Sequence, residues 1–432
     1  MRRGRDRPSL STQGSFVNGA TQSMRQEQPM ATTRGASLLL FPCMIAGTVL
    51  NQQAWSMTLS HAGQAIFWGC VACAVVVIAS VLKMPRLGLF LGAALVAARI
   101  LRIIAPGAWW PLFAYTVVLS GTFLLAGLAL VLYQRRMIRG QVMALVLLSL
   151  PLMFLQTSGA DPIFQSLRTD AHSANGYTQH ATLFVDSDNV VITTLQARPA
   201  GFVHANNFLS VILLSGLLLQ LSGSRVSYLT VADLGLTCAM VLSFAKIVWL
   251  GFAMLILWMM VRCGARGRRK AIKLVALASI LLLAYAIIWP GLFAYNASPH
   301  SAYVNFQLRL ADLVASIQGE RLAGVLIPDL DGKMAWHPLG GAESGYARIA
   351  PALPALGVAV LLLSPFYVRS LRRLKGARGT RDLAEAGLIV LFVMPIMAQF
   401  IDSPSFWFVL GPAAIPLFLA WAGPRDARTP LT

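Results

Sequence analysis

Apolar side chains recur along almost the whole chain in runs long enough to cross the roughly 30 Å hydrocarbon layer of a bilayer as helices. Read against their polar flanks, the runs predict spans near 36 to 55, 63 to 82, 87 to 105, 111 to 133, 140 to 156 and 203 to 221 in the first half. The second half adds 228 to 243, 246 to 262, 272 to 291, 348 to 368, 384 to 401 and 405 to 422. Backbone inside lipid must satisfy its own hydrogen bonds, and segments of this length do so as helices rather than as barrel strands. The expected fold class is an all-α polytopic membrane protein of about 12 transmembrane helices. The return between the seventh and eighth spans, Ser243 to Lys246, contains neither Gly nor Pro.

Polar positions divide the chain further. Residues 1 to 35 form a basic tail, 36 to 422 the transmembrane domain, and 423 to 432 a second tail. The first apolar run begins later than an ordinary cleavable signal peptide would place it. Two connections are long, 157 to 202 and 292 to 347, and both carry apolar and aromatic residues, as in "HATLFVDSDNVVITTL". Such composition argues against a plain disordered linker and for two loops that pack on the bundle as a small external cap.

Composition agrees: 57% of residues are hydrophobic and only 12% charged. A formal net charge of +19 would point to nucleic acid in a soluble protein. Here most basic residues fall in connections on one side of the predicted topology, in "QRRMIRG", "RCGARGRRKAIK" and "RSLRRLKGARGTR". That is the positive-inside bias, with both termini cytoplasmic, and it excludes a nucleic-acid partner. Treating 228 to 262 as one span would send "RCGARGRRKAIK" outside, which favours two. The five cysteines, Cys43, Cys70, Cys73, Cys238 and Cys263, lie in or beside apolar runs, so the Cys70/Cys73 pair is read as packing.

Candidate chemistry faces outward. Arg99 and Arg102, three residues apart near the external end of the third span, share a helical face and either snorkel to the headgroups or bind phosphate. In "QARPAGFVHANNFLS" Pro199 extends Arg198 and suits a first helical turn, which places the arginine at a helix N-terminus, an anion site. His204, Asn206 and Asn207 then line a polar cavity, with His204 open between catalysis and buried hydrogen bonding. In the second loop Arg309 and Asp312 stand one turn apart, and Glu343, Tyr346 and Arg348 lead into the tenth span after a Gly-rich segment. Asp329 and Asp331 read as a turn, since the further ligands of a calcium loop do not follow. No zinc spacing, phosphate-cradling glycine loop or G-x-S-x-G elbow is present. In-span Asp233 and near-span Lys246 are read as ties between helices rather than as an ion pathway.

"RPAGFVHANNFLSVILL" resembles the R-x-x-G-x-x-x-x-x-N start of a span in the bacterial O-antigen ligase and Wzy-type polysaccharide polymerase group. "NFQLRLADLVASIQG" followed by "AESGYARIAPALPALGVAVLLL" resembles that group's second external loop. The likeness covers roughly 196 to 368 in detail, and length and layout are most similar to polymerases of xanthan-type exopolysaccharides. Glu343-Ser344 stands where the ligases carry His followed by Asn or Ser, Gly357 comes too late for their spacing and His337 does not restore it, so a polymerase is favoured.

The resemblance implies a GT-C-like glycosyltransferase of the bacterial inner membrane with two larger periplasmic loops, needing no cofactor and no metal. Its substrate is a polyprenyl-pyrophosphate-linked oligosaccharide within the membrane lipid, and its implied partners are a chain-length regulator and an export complex. Fixed cations suit a pyrophosphate leaving group: Arg198 and Arg309, helped by Arg99 and Arg102. Glu343, then His204, are candidate bases for the acceptor hydroxyl. Asn206, Asn207, Tyr346 and Arg348 are weaker glycan contacts, and Asp161, Asp170 and Asp186 are candidate orienters of sugar hydroxyls. A lipid-linked oligosaccharide transporter or flippase and a structural subunit of an export complex are the competing classes. The chain shows no internal repeat of the kind transporters carry.

Overall fold

The computed structural model describes residues 31–50, 57–105, 108–158, 180–183, 193–196, 199, 201–202, 206–222, 227–297, 299–320, 322–328, 333–338, 347, 353–374, 378–397, 408 and 410–422. The first group of helices is α1 (Ala31–Leu50), α2 (Met57–Val81), α3 (Pro85–Ile104), α4 (Trp109–Tyr133) and α5 (Arg135–Thr157). After a hairpin of β1 (His180–Leu183) and β2 (Thr193–Gln196) come α6 (Asn206–Leu221), α7 (Val231–Ser243), α8 (Lys246–Arg262) and α9 (Ala265–Ile288). The second long connection holds α10 (Pro290–Ala297), α11 (Pro299–Gln318) and a hairpin of β3 (Gly324–Pro328) and β4 (Met334–Pro338). It leads to α12 (Leu353–Arg373), α13 (Arg378–Met397), a 3₁₀ turn at Gly411–Ala414 and α14 (Ile415–Ala422).

A described helix overlaps each predicted span, although within 405 to 422 the described part is a 3₁₀ turn and the eight-residue α14. Five described stretches are long and apolar enough to cross a bilayer outright: Ala62–Val81, Pro85–Ile104, Ala114–Tyr133, Arg135–Thr157 and Ala265–Ile288. The chain is thus a helical, membrane-embedded protein. The all-α expectation needs one amendment, because each long connection carries a two-stranded antiparallel hairpin.

α6 is the centre of the fold. Every residue from Leu209 to Ser222 is buried, and the helix packs against α5, α7, α8 and α13. A helix apolar all round belongs in a core rather than on a surface. Glycines let its neighbours approach: a Cβ on Gly216 would lie 2.6 Å from Leu236 Cδ2 of α7, and one on Gly251 of α8 would run into the Leu214 side chain. Small residues at such crossings are how membrane helices gain dispersion contacts where lipid offers no hydrophobic drive.

The connection from Ser243 to Lys246 does reverse the chain. Phe244 adopts left-handed backbone, φ 44°, and ends α7 without Gly or Pro. At its start α7 is tied to the start of α9 by the Asp233–Lys270 ion pair, 2.8 Å. At its end Phe244 packs on Tyr285 near the end of α9, ring centroids 5.7 Å apart. α7 and α9 therefore run the same way, and α8 between them runs back. With 13 residues α7 is about 20 Å long, so its turn lies below full bilayer depth. Phe244, Ala245 and Ser243 are buried in protein there, and Ser243 Oγ donates to the Met240 carbonyl, as irregular backbone at membrane depth requires.

Polar ties gather several helix ends on one face. Arg135 at the start of α5 donates to the Leu219 carbonyl at 3.3 Å and to Ser222 Oγ at 3.1 Å, capping the C-terminal end of α6 with positive charge. Thr230 and Asp233 form a reciprocal capping box that starts α7, and Gln220 of α6 donates to Thr230 Oγ1 at 2.9 Å and Asp233 Oδ1 at 3.3 Å. Glu385 of α13 accepts from Arg262 at 2.6 and 3.1 Å, from Arg381 at 2.8 Å and from Trp258 Nε1 at 3.3 Å. The structural reading of Asp233 holds. Its partner Lys270 was expected among loop charges; instead it is fully buried, because α9 starts at Ala265, ahead of the predicted 272, and carries the lysine inside.

Candidate functional site

The opposite face carries both long connections. α5 ends there, the approach to α6 begins there, and α9 ends there, since Phe154 packs edge-on to Trp289 with centroids 5.1 Å apart. Its best-defined feature is a clamp. Gln156, 1% exposed, sits in the last turn of α5; its Oε1 accepts from the Gly201 N–H at 2.9 Å and its Nε2 donates to the Gly201 carbonyl at 3.2 Å. A side-chain amide thus satisfies both polar groups of one backbone unit, as a strand neighbour would.

Gly201 has φ +62°, a conformation glycine adopts without steric cost. A Cβ there would also lie 2.6 Å from Ser149 Cβ. Ser149 Oγ is buried without a hydrogen-bond partner among the described residues. Pro199 is buried as well. These positions correct the expected helix start. α6 is described from Asn206 and the left-handed Gly201 stands between it and Pro199, so Pro199 is not in a first helical turn. Gly201 and Phe202 instead form a turn, and Gly201 is held against α5.

On this face stands also an aromatic group that the chain pattern does not announce. Phe154, Phe244, Trp249, Tyr285, Trp289 and Phe293 contact one another with centroids between 5.1 and 6.4 Å. Tyr285 Oη accepts from buried Asn296 Nδ2 at 3.4 Å. The six residues come from α5, α7, α8, α9 and α10, so only the fold assembles them. The signal for Gln156 was more local: an isolated amide closing an apolar run.

Arg309 is half-buried on α11, one turn before Asp312, and α11 packs against α10 and β3. Arg99 and Arg102 are exposed on α3 and share a face, as their spacing predicted. The Arg99 guanidinium lies over the Trp68 ring of α2 at 6.0 Å and that of Arg102 over the Tyr115 ring of α4 at 5.6 Å. An arginine stacked on a ring still has its N–H edge for an anion. α3 packs on α2 and α4, whereas α11 packs on α10 and β3, so these arginines stand on different parts of the fold. Asn206 and Asn207 open α6, and His337 lies in β4. Arg198, His204, Glu343, Tyr346 and Arg348 lie outside the described residues, as do Asp161, Asp170, Asp186, Asp329 and Asp331.

Cys70 is buried with its Sγ donating to the Ile66 carbonyl at 3.1 Å, the arrangement of a packed thiol. Comparison of the chain with protein-family models, with curated proteins and with solved structures finds no match.

Proposed function

We propose that this chain is a polysaccharide polymerase of the bacterial inner membrane. It has twelve spans in a GT-C-like arrangement, cytoplasmic termini and two large periplasmic loops. It transfers a growing glycan from undecaprenyl pyrophosphate to the non-reducing end of the next lipid-linked repeat. The bond from the sugar anomeric carbon to the pyrophosphate oxygen breaks, a bond to the acceptor hydroxyl oxygen forms, and the hydroxyl proton passes to a base. Pyrophosphate leaves as an anion, so catalysis needs fixed positive charge at that oxygen more than a proton donor. Arg198 and Arg309 supply it, helped by Arg99 and Arg102. Glu343 takes the proton, with His204 the second candidate. Asn206, Asn207, Tyr346 and Arg348 hold sugar hydroxyls.

The observation that carries this reading is the clamped bend at Gly201. Pro199 and Gly201, just after Arg198, are buried, and Gly201 is fixed to α5 on the face from which both long connections leave, ahead of the most buried helix. A rigid mount for an arginine fits transition-state charge stabilisation, which depends on donors placed before the reaction. In this reading the Arg198 guanidinium itself, rather than a helix dipole, is the cation. The test is Arg198→Ala and Arg309→Ala, each made separately. Each variant should accumulate to parental levels in membranes by immunoblot and lose long polymer. Normal polymer from both would sink the assignment.

A further inference from the structure

On the face that gathers the Arg135, Lys270 and Glu385 ties, α12 ends in a basic stripe. Pro365, Val368, Arg369, Arg372 and Arg373 line one groove of about 630 Å³. Their spacing of i, i+3, i+4, i+7 and i+8 puts them on one helical face. The same face continues toward the start of α12 through Val358, Leu361 and Leu362, which are 57%, 72% and 66% exposed. From Val358 to Arg373 the stripe is about 22 Å long, apolar for most of its length and cationic at one end.

The acids of this face are already engaged. Asp233 holds Lys270, Glu385 holds Arg262 and Arg381, and Asp382 acts on Arg135 and Arg262. Arg369, Arg372 and Arg373 have no acidic partner among the described residues. Three guanidiniums so close repel one another, and an anion between them would offset that cost. Position decides which anion. On the predicted topology the arginines sit where the apolar run of 348 to 368 ends, with exposed aliphatic side chains directly above, so the complementary ligand has a phosphate head and hydrocarbon tails.

We propose that this stripe is a binding site for one anionic membrane phospholipid, its phosphate held by Arg369, Arg372 and Arg373 and its acyl chains lying along Val358, Leu361, Leu362 and Pro365. The site is independent of the glycan chemistry on the other face. A basic residue near a membrane surface attracts anionic lipid by on the order of 1 kcal/mol, and three together give at least about a tenfold preference after screening.

Native mass spectrometry of the full chain, released from detergent with phosphatidylglycerol or phosphatidylcholine added, reads this directly. The parent chain should retain phosphatidylglycerol about tenfold better, and Arg369→Gln/Arg372→Gln/Arg373→Gln should abolish the preference. Arg266→Gln/Arg268→Gln/Arg269→Gln, on the same face, should keep it. If the first triple variant fails to fold, the lysine triple at the same positions should fold and keep the preference, because charge is preserved. Equal retention of both lipids by the parent, equal loss in both glutamine triples, or displacement of the lipid by millimolar inorganic phosphate would each overturn the proposal, the last by showing a simple phosphate site.

Discussion

Alanine at position 233 should strip this protein from the membrane. Lys270 Nζ lies 2.8 Å from Asp233 Oδ2, and the two side chains are 0% and 1% exposed. Removing the carboxylate takes from the buried Lys270 ammonium the acid it pairs with, and breaking a buried pair from one side typically costs about 3 to 5 kcal/mol, roughly half or more of a domain's net stability. It also removes the acceptor for the Thr230 N–H at 2.8 Å and one acceptor of Gln220, so the start of α7 loses its cap as well. Fluorescence-detected size exclusion of detergent extracts should show the monodisperse peak of Asp233→Ala reduced to a small fraction of parent. Asp233→Leu combined with Lys270→Met should restore most of it, since a buried ion pair replaced by apolar residues of similar volume is often neutral or better. A stable single variant would mean that the pair does not hold α7 to α9.

The second large effect belongs at Gly201. Valine there meets two independent obstacles: a β-branched side chain at φ +62° and a Cβ 2.6 Å from Ser149 Cβ. Left-handed backbone at a bulky residue costs about 1 to 3 kcal/mol, and the contact adds a comparable amount, so the turn at Gly201 must move off α5. The bundle itself has no reason to unfold, because the helices from α6 onward do not depend on that contact. Displacing a catalytic group by about 1 Å is enough for a 100-fold loss of rate. Gly201→Val should therefore accumulate in membranes near parental levels and make polymer at least about tenfold more slowly. Gln156→Ala, which frees both polar groups of Gly201, should show a milder form of the same defect. Parental polymer yields from Gly201→Val would detach the bend from function.

Much of the bundle is legible in the chain because its logic is local. A helix in lipid needs only a sufficient apolar run, and five of the predicted runs are described helices long and apolar enough to cross a bilayer. The reversal at Ser243 to Lys246 was readable from charge alone, although no turn residue marks it; Phe244 makes the turn by adopting backbone that only the burial around it sustains. Reading failed where partners are distant. Lys270 counts as one more loop charge until Asp233, 37 positions earlier, is placed beside it. Pro199 looks like a helix start until Gln156, 45 positions away, pins Gly201 in a conformation no helix contains. The two hairpins are four and five residues per strand, too short to outweigh their polar surroundings.

The polymerase reading places the chemistry after the lipid-linked repeat has crossed the membrane. A strain lacking this chain decides it, through chromatography of its lipid-linked glycans with a membrane-impermeant label reporting which leaflet holds them. If the chain is the polymerase, the lipid carries a single repeat unit exposed on the outer leaflet, with long polymer absent and restored by the parent chain but not by Arg198→Ala. Single repeats trapped on the cytoplasmic leaflet would contradict it and make this chain the transporter instead.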